Sequence, residues 1–387
     1  VSSNLDRRGF DLDTLALIVR ASAWDERLFR VEYGFEGYRD FVDSFRVRIN
    51  PQTQERRVSI QGPVADDAIY DLAGFYFKGF WQAKPSLMCT LGTRFTHARA
   101  AADRFEDPFT GQVSRFSGNW SNLSTSLRTI WRPLPRLRLS GGISQGFRAP
   151  NLSDLTRLDL ARSGELEIPS PHIGPESFWT AEFGTSLESG PLLLHLAVYH
   201  TKIRDLIVRT PTGRLIREGP STLFEVAKTN AGHGWVRGLE VSASMRLRDA
   251  WLLTGNVSWL DSELERFSDT SSQPLRIREP LSRMMPPTAN LSLRYSPPGK
   301  AWSVEGLFRG ALKQNNLSES DQRDSQRIPP AGTPGYALVD LLFSGSFNSH
   351  YHLALKIENI FDKAYRVHGS GINGAGRNVI VSLVISY

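Results

Sequence analysis

Cysteine is almost absent: Cys89 is the only one in 387 residues. One thiol closes no internal disulfide and builds no cysteine-based zinc site, so a disulfide scaffold and a zinc finger are both excluded. Long hydrophobic runs are missing too, with no stretch near the eighteen or so uninterrupted apolar residues that a membrane helix requires. Mean hydropathy is −0.29, yet this does not point to an aqueous protein, because a transmembrane barrel strand is apolar on one face only. A block of basic residues is also lacking. The net charge of +6 is spread along the chain, with arginines recurring singly, which gives nucleic-acid binding no support. No His-Glu-x-x-His segment or paired-carboxylate arrangement stands out, so we expect no enzyme, no cofactor and no metal centre. The chain opens Val1-Ser2-Ser3-Asn4, without an initiator Met or a positive-then-apolar leader, which reads as a processed chain or a fragment. No sizeable segment carries a helical period.

What is present is a period of two. Leu353, Leu355 and Ile357 alternate with His352, Ala354, Lys356 and Glu358, and Leu239, Val241, Ala243, Met245 and Leu247 alternate with Glu240, Ser242, Ser244 and Arg246. One apolar and one polar row per segment is the pattern of a sheet with one wet face. The expected strands cover 10–22, 27–48, 70–82, 86–99, 117–131, 136–147, 177–188, 192–208, 234–247, 250–264, 287–296, 301–312, 336–347, 350–361 and 377–387, fifteen in all. Short turns near 25–26, 84–85, 133–135, 189–190, 248–249, 297–299 and 348–349 alternate with long loops at 49–69, 100–116, 148–176, 209–233, 265–286, 313–335 and 362–376. Short-long alternation sends all tight turns to one end and all long loops to the other, as in an antiparallel transmembrane β-barrel. A soluble sandwich, the alternative, has no reason to sort its loops by length.

In such a barrel the apolar row meets lipid and the polar row lines the lumen. Lumen candidates are Arg94, Glu182, Glu240, Arg294, Glu305, Arg309, Asp340, Lys356 and Glu358. Trp131, Trp251, Trp302, Tyr351 and Tyr387, near strand ends, suit an interfacial aromatic girdle. Two enzyme-like patterns lack their context. Gly142-Ile143-Ser144-Gln145-Gly146 lies inside a strand rather than at a strand-turn-helix elbow. Gly369-Ser370-Gly371-Ile372-Asn373-Gly374 has no helix after it and reads as a loop tip.

Four further segments carry a resemblance. Gly146-Phe147-Arg148-Ala149-Pro150-Asn151-Leu152-Ser153-Asp154-Leu155 lies where a strand enters its long loop, and Pro175-Glu176-Ser177 with Glu182-Phe183-Gly184 follows. Next come Asn230-Ala231-Gly232 and Val236-Arg237-Gly238-Leu239-Glu240, and finally Asn359-Ile360-Phe361-Asp362-Lys363-Ala364-Tyr365 with Gly376-Arg377 before a strand ending at Tyr387. Together and in this order they resemble the signatures of TonB-dependent outer-membrane receptors, over about Asp71 to Tyr387. Phe178 stands where the family usually has Ser. The motif positions are thus Phe147, Arg148, Ala149, Pro150, Asn359, Phe361, Tyr365, Gly376 and Arg377.

The resemblance implies a barrel of twenty-two strands, so that about fifteen are present here and about seven would precede them. It implies an N-terminal plug and a TonB box outside this sequence, and import of a scarce ligand driven by the TonB-ExbB-ExbD complex. It places the protein in the bacterial outer membrane among lipid and lipopolysaccharide, with Tyr387 at the periplasmic end as a signal to the barrel-assembly machinery. A ferric siderophore or similar iron complex is the expected cargo, with haem, cobalamin or a glycan as alternatives. A plugless passive pore or a receptor remnant is the competing function. Candidate ligand contacts on the long-loop side are Arg148, His172, His233 and His368. Arg157, Arg162, Arg214, Arg217, Arg276, Arg278, Arg323 and Arg327 suit an anionic ligand and equally suit lipopolysaccharide. Pro150 stops strand pairing and launches the loop, and Arg148 is suited to hydrogen-bond loop carbonyls or a carboxylate.

Overall fold

The computed structural model describes residues 5–25, 28–107, 110–160, 165–218, 221–268 and 275–386. Its nineteen strands form one sheet. Fifteen are long: β1 (Leu5–Asp25), β2 (Phe29–Ile49), β4 (Asp66–Lys84), β5 (Leu87–Glu106), β6 (Val113–Leu134), β7 (Leu137–Arg148), β10 (Glu176–Ser189), β11 (Leu192–Glu218), β12 (Ser221–Arg248), β13 (Trp251–Phe267), β15 (Thr288–Tyr295), β16 (Trp302–Ala311), β17 (Tyr336–Ser346), β18 (Tyr351–Glu358) and β19 (Asn378–Ile385). Each matches one of the fifteen expected strands. They pair in chain order, every step antiparallel. Four short strands, β3 (Arg56–Val58), β8 (Asp159–Leu160), β9 (Glu165–Ile168) and β14 (Arg276–Glu279), sit in the long connections, as do the helical turns α1 (Leu152–Thr156) and α2 (Glu319–Arg323). β9 runs parallel to β12, pairing Phe224–Ala227 with Glu165–Ile168.

Register sorts the side chains into two rows. Phe35, Phe75, Phe95 and Leu123 face one another across β2, β4, β5 and β6 on the apolar side, and Phe75 and Leu123 are 60% and 62% exposed. Large hydrophobics stay this exposed because their solvent is lipid. On the opposite side, Arg94 joins Glu36 at 3.1 Å, Arg294 joins Glu305 at 2.6 Å, Lys356 joins Glu358 at 2.7 Å and Arg309 joins Asp340 at 2.9 Å. Arg294–Glu305 and Arg309–Asp340 join neighbouring strands, Arg94–Glu36 reaches across β4, and Lys356–Glu358 runs along β18, so the charges satisfy one another on the wet face. At the short-turn end, Trp251, Tyr295, Trp302 and Phe343 form a ladder with successive centroids 4.7, 5.9 and 6.3 Å apart. Trp251 and Trp302 are two of the residues expected in an aromatic girdle. Tyr387 lies outside the described residues.

Two expected loops are largely strand. β11 continues to Glu218 and β12 begins at Ser221, so most of 209–233 is a two-stranded extension. Register shifts at Ile203/Leu206, Leu206/Val208 and Pro211/Leu215 change which face successive residues occupy, and this hides the alternation. A shift at Ala102/Phe105 has the same effect on 100–106. At ~3.3 Å per residue the 28 residues of β12 extend roughly 90 Å, whereas about ten suffice to cross a bilayer. The long strands therefore project well beyond the membrane on the loop side.

A small apolar core forms at that end. Leu152 and Leu155 of α1 pack with Val42, Val64, Ala65, Ala68, Ala100, Ala102, Phe105 and Ile173. Gln61 donates to Thr156 O at 2.7 Å and accepts from Glu106 N at 2.8 Å, and Ala65 N donates to Thr156 Oγ1 at 2.9 Å. Connections 49–69 and 148–176 are thereby folded onto each other.

Candidate functional site

The loop end is organised by ion pairs that the chain brings together from distant segments. β7 ends at Arg148, and buried Ala149 and Pro150 turn the chain away from the sheet. Asn151 and Asp154 then cap α1 reciprocally, a short-range pattern that closes a helical turn. Arg148 uses two edges of its guanidinium: Nε donates to Glu176 Oε2 at 2.5 Å and Nη1 to Asp154 Oδ2 at 2.6 Å. Glu176, almost fully buried, also accepts from Ile207 N at 2.8 Å. Lys228 Nζ completes the group, 3.1 Å from Asp154 Oδ1 and 3.0 Å from Glu167 Oε1. Burial works to raise the Asp154 carboxyl, but Lys228 and Arg148 outweigh it and hold it below the usual range.

A second group ties four of the long connections. Glu165 of β9, fully buried, meets Arg209 at 2.7 Å and is also bound by Arg323 of α2. From α2, Glu319 accepts from Ser268 Oγ at 2.7 Å, while Asp321 accepts from Ser282 Oγ at 2.7 Å and Arg283 N at 3.0 Å. Glu279 Oε2 takes the Glu319 N–H at 2.7 Å. The mouth is a bonded assembly of loops.

The other motif residues are also accounted for. Asn230 Oδ1 accepts from Gly174 N at 2.6 Å, and its Nδ2 donates to Gly174 O at 2.9 Å and Asp205 O at 2.8 Å. Asn359, with φ +49°, accepts from Lys363 N at 2.9 Å and donates to Lys363 O and Ala375 O at 2.9 and 3.1 Å. Arg377 Nε donates to Ile360 O at 2.9 Å, and its N–H to Asp362 Oδ1 at 2.8 Å. A Cβ at Gly376 would lie 2.6 Å from Asp362 Oδ1, so this turn has no room for a side chain there. Tyr365 rests against Tyr336, centroids 5.0 Å apart, and Phe361 is exposed. Phe147 lies in the row that pairs with Ser177.

The three candidate histidines stand apart. His172 is exposed and lines a groove of about 470 Å³ with Pro169, Pro171, Thr212, Arg214 and Asn230. His233 is exposed on β12, 3.6 Å from Glu265, and lines a different depression. His368 is buried, its Nδ1 2.9 Å from Thr333 Oγ1, and burial pushes its pKa below that of a free imidazole. Among the described residues, no group of three or more His, Cys, Asp or Glu is arranged to hold a metal ion. Arg214 is paired with Glu225 at 2.9 Å, Arg276 and Arg278 with Glu265, and Arg327 with Asp324. Arg157 stands 3.7 Å from Glu167, and Arg162 lies outside the described residues. Sequence reasoning missed Lys228, Glu165 and Glu167, whose roles exist only once distant loops meet. The α2 turn did leave a signal, Ser318-x-x-Asp321, a capping pattern.

The family model "TonB dependent receptor-like, beta-barrel" matches residues 3–360. The chain belongs to the TonB-dependent receptor β-barrel family. Within it, the iron-regulated outer membrane virulence protein of Vibrio cholerae serotype O1 is 22% identical over 293 residues, which are 74% of this chain and 43% of that protein. Among solved TonB-receptor-like folds, the copper transporter OprC superposes with a TM-score of 0.77 at 18% identity, over 98% of this chain and 57% of that one. The siderophore receptor PirA from Acinetobacter baumannii gives 0.69 at 16% identity, over 98% and 55%. At such identities the structural likeness establishes the fold of this receptor barrel, an outer-membrane architecture. The chain spans less than half of its curated relative.

Proposed function

We propose that this chain forms the wall and extracellular mouth of an energised outer-membrane receptor that imports a scarce anionic ligand, foremost a ferric siderophore or similar iron chelate. The observation that carries the reading is the groove beside α1, with apolar Pro169, Pro171 and Ile173 flanked by the His172 imidazole, the Arg214 guanidinium and the Asn230 amide. Its volume of about 470 Å³ is that of a small-molecule site with few polar anchors. The related Vibrio protein is named as iron-regulated and the Acinetobacter structure as a siderophore receptor, which supports iron over other cargo. In this reading the energy comes from TonB-ExbB-ExbD acting on a plug and TonB box in a segment outside this sequence. The C-terminal end is periplasmic, with Tyr387 offered to the assembly machinery.

The exposed imidazole of His172 favours haem as the second cargo. Deleting the gene and growing the cells on single iron sources separates these readings. Loss of growth on one ferric chelate, restored by the intact gene but not by Arg214→Ala, is the expected result. Unchanged growth on every chelate and on haem removes iron as the cargo. Ligand-independent conductance of the purified product would favour a passive pore.

A further inference from the structure

The wall is not zipped along its whole height. Between β6 and β7 the ladder runs from Leu134 and Leu137 up to Ser126 and Ser144 and stops there, although β6 continues to Val113 and β7 to Arg148. Past that point β6 pairs only with β5, and β7 only with β10. The first N–H beyond the last rung, that of Thr125, is taken by a side chain instead, Gln145 Oε1 at 3.0 Å. The cause lies at the top of β7. Arg148 is forked onto Glu176 at the start of β10 and onto Asp154 of α1, which holds this strand end to β10 and α1 rather than to β6.

The split falls at membrane depth. A tilted strand crosses the hydrocarbon in about ten residues, so from Trp131, at the short-turn end, the span of β6 reaches Ser121 and the ladder ends near its middle. Leu123 and Ile143, on the outward row beside the split, are 62% and 54% exposed. An open sheet edge is costly against lipid tails, which offer its N–H and C=O groups no partner, so it persists only where it is covered or lines a polar cavity. A cavity of about 500 Å³ lies against this split, lined by Ser124, Thr125, Gln145 and Arg148 together with Tyr70 and Tyr76. Ser124 stands in the lumen row with Arg94, and Thr125 in the outward row with Thr93. A ligand that suits both sides carries amide groups for the open edges and an apolar tail for the exposed row. Neither a bare acyl chain nor a soluble peptide meets both demands.

We propose that the split between β6 and β7 is a lateral port for an acylated peptide, whose backbone adds to the edges 122–125 and 145–148 and whose tail lies in the outer leaflet along Leu123, Ile143 and Phe147. This port lies in the wall below the mouth and goes beyond the uptake reading. The intact gene product is extracted from outer membranes, reconstituted in vesicles and exposed to an N-dodecanoyl tripeptide whose peptide part carries a photoreactive diazirine. Adducts are located by mass spectrometry. The acylated peptide labels Ser124 and Tyr76 on the lumen side, and the same peptide without its tail labels them severalfold less. Locking the split with a disulfide, in Cys89→Ser/Thr125→Cys/Gln145→Cys, lowers the labelling severalfold, and reduction restores it. Gln145→Ala needs no oxidation: it removes the side chain that holds Thr125, and lumen-side labelling rises. Equal labelling with the split locked, no rise in Gln145→Ala, or equal labelling by the tail-free peptide overturns the port. Equal labelling by a diazirine fatty acid overturns the peptide as its occupant. The readout needs neither iron nor TonB, so failure here is distinguishable from failure of the uptake reading.

Discussion

At Arg148 one guanidinium serves two carboxylates from opposite ends of a loop, Asp154 six residues on and Glu176 twenty-eight residues on. Only a planar fork reaches both at once. We predict that Arg148→Ala costs about 3 kcal/mol, because Glu176 is left buried and unpaired, and that Arg148→Lys recovers less than half. Urea titration of the refolded protein in vesicles reads both, and an alanine variant as stable as the parent would remove Arg148 from the list of structural keystones. His368 gives a pH signature. Its pKa is lowered by burial, so the folded loop prefers neutral imidazole. The packing of this loop is at full strength above the free value of 6.5 and weakens as pH falls through 6.5 towards the lower folded value. The protection of the 366–370 amides, taken relative to the intrinsic exchange rate at each pH, should fall between pH 8 and pH 5, and His368→Phe should abolish that step. These positions were legible to different degrees. Arg148, Asn359 and Arg377 stand out in the sequence because each caps or crosses a turn with several bonds. Lys228 does not, since nothing local to it fixes its geometry.

At the scale of elements, α2 is a five-residue turn that could not persist alone. It is held by Ser268, Glu279, Ser282 and Arg283 from one loop and by Glu165 from another. We predict that Glu165→Gln, which keeps shape but removes the charge facing Arg209 and Arg323, loosens this contact, and trypsin cleavage after Arg323 and Arg327 rises severalfold. Because Glu165 is fully buried, 1 M salt should not reproduce the effect in the parent protein. Cleavage at the parental rate would mean that the Ser and Glu279 contacts suffice. The fifteen long strands were readable because each is at least eight residues long, enough for a period of two to show. β3, β8, β9 and β14 run from two to four residues, too short for any period. The β11–β12 extension escaped for the opposite reason: its bulges scramble the faces while leaving the pairing intact.

For the whole molecule, the decisive claim is which face of the sheet is wet, and two neighbours on β13 test it directly. Val257 belongs to the apolar row with Val241 and Ala289, and is 47% exposed. Ser258 points the other way, paired with Glu240 and Thr288. In a soluble sheet the exposed row would tolerate a charge and the enclosed one would not. In a barrel wall the order inverts, because the outer row is solvated by lipid and the inner one by water. We predict that Val257→Arg destabilises the protein in vesicles by about 2 kcal/mol, the cost of a cation within the hydrocarbon layer, whereas Ser258→Arg stays within about 1 kcal/mol. Urea unfolding in vesicles of stated thickness gives both numbers. Equal penalties, or a larger one at Ser258, would reverse the assignment of the two faces and with it every placement made above, including the Arg294–Glu305 pair in the lumen.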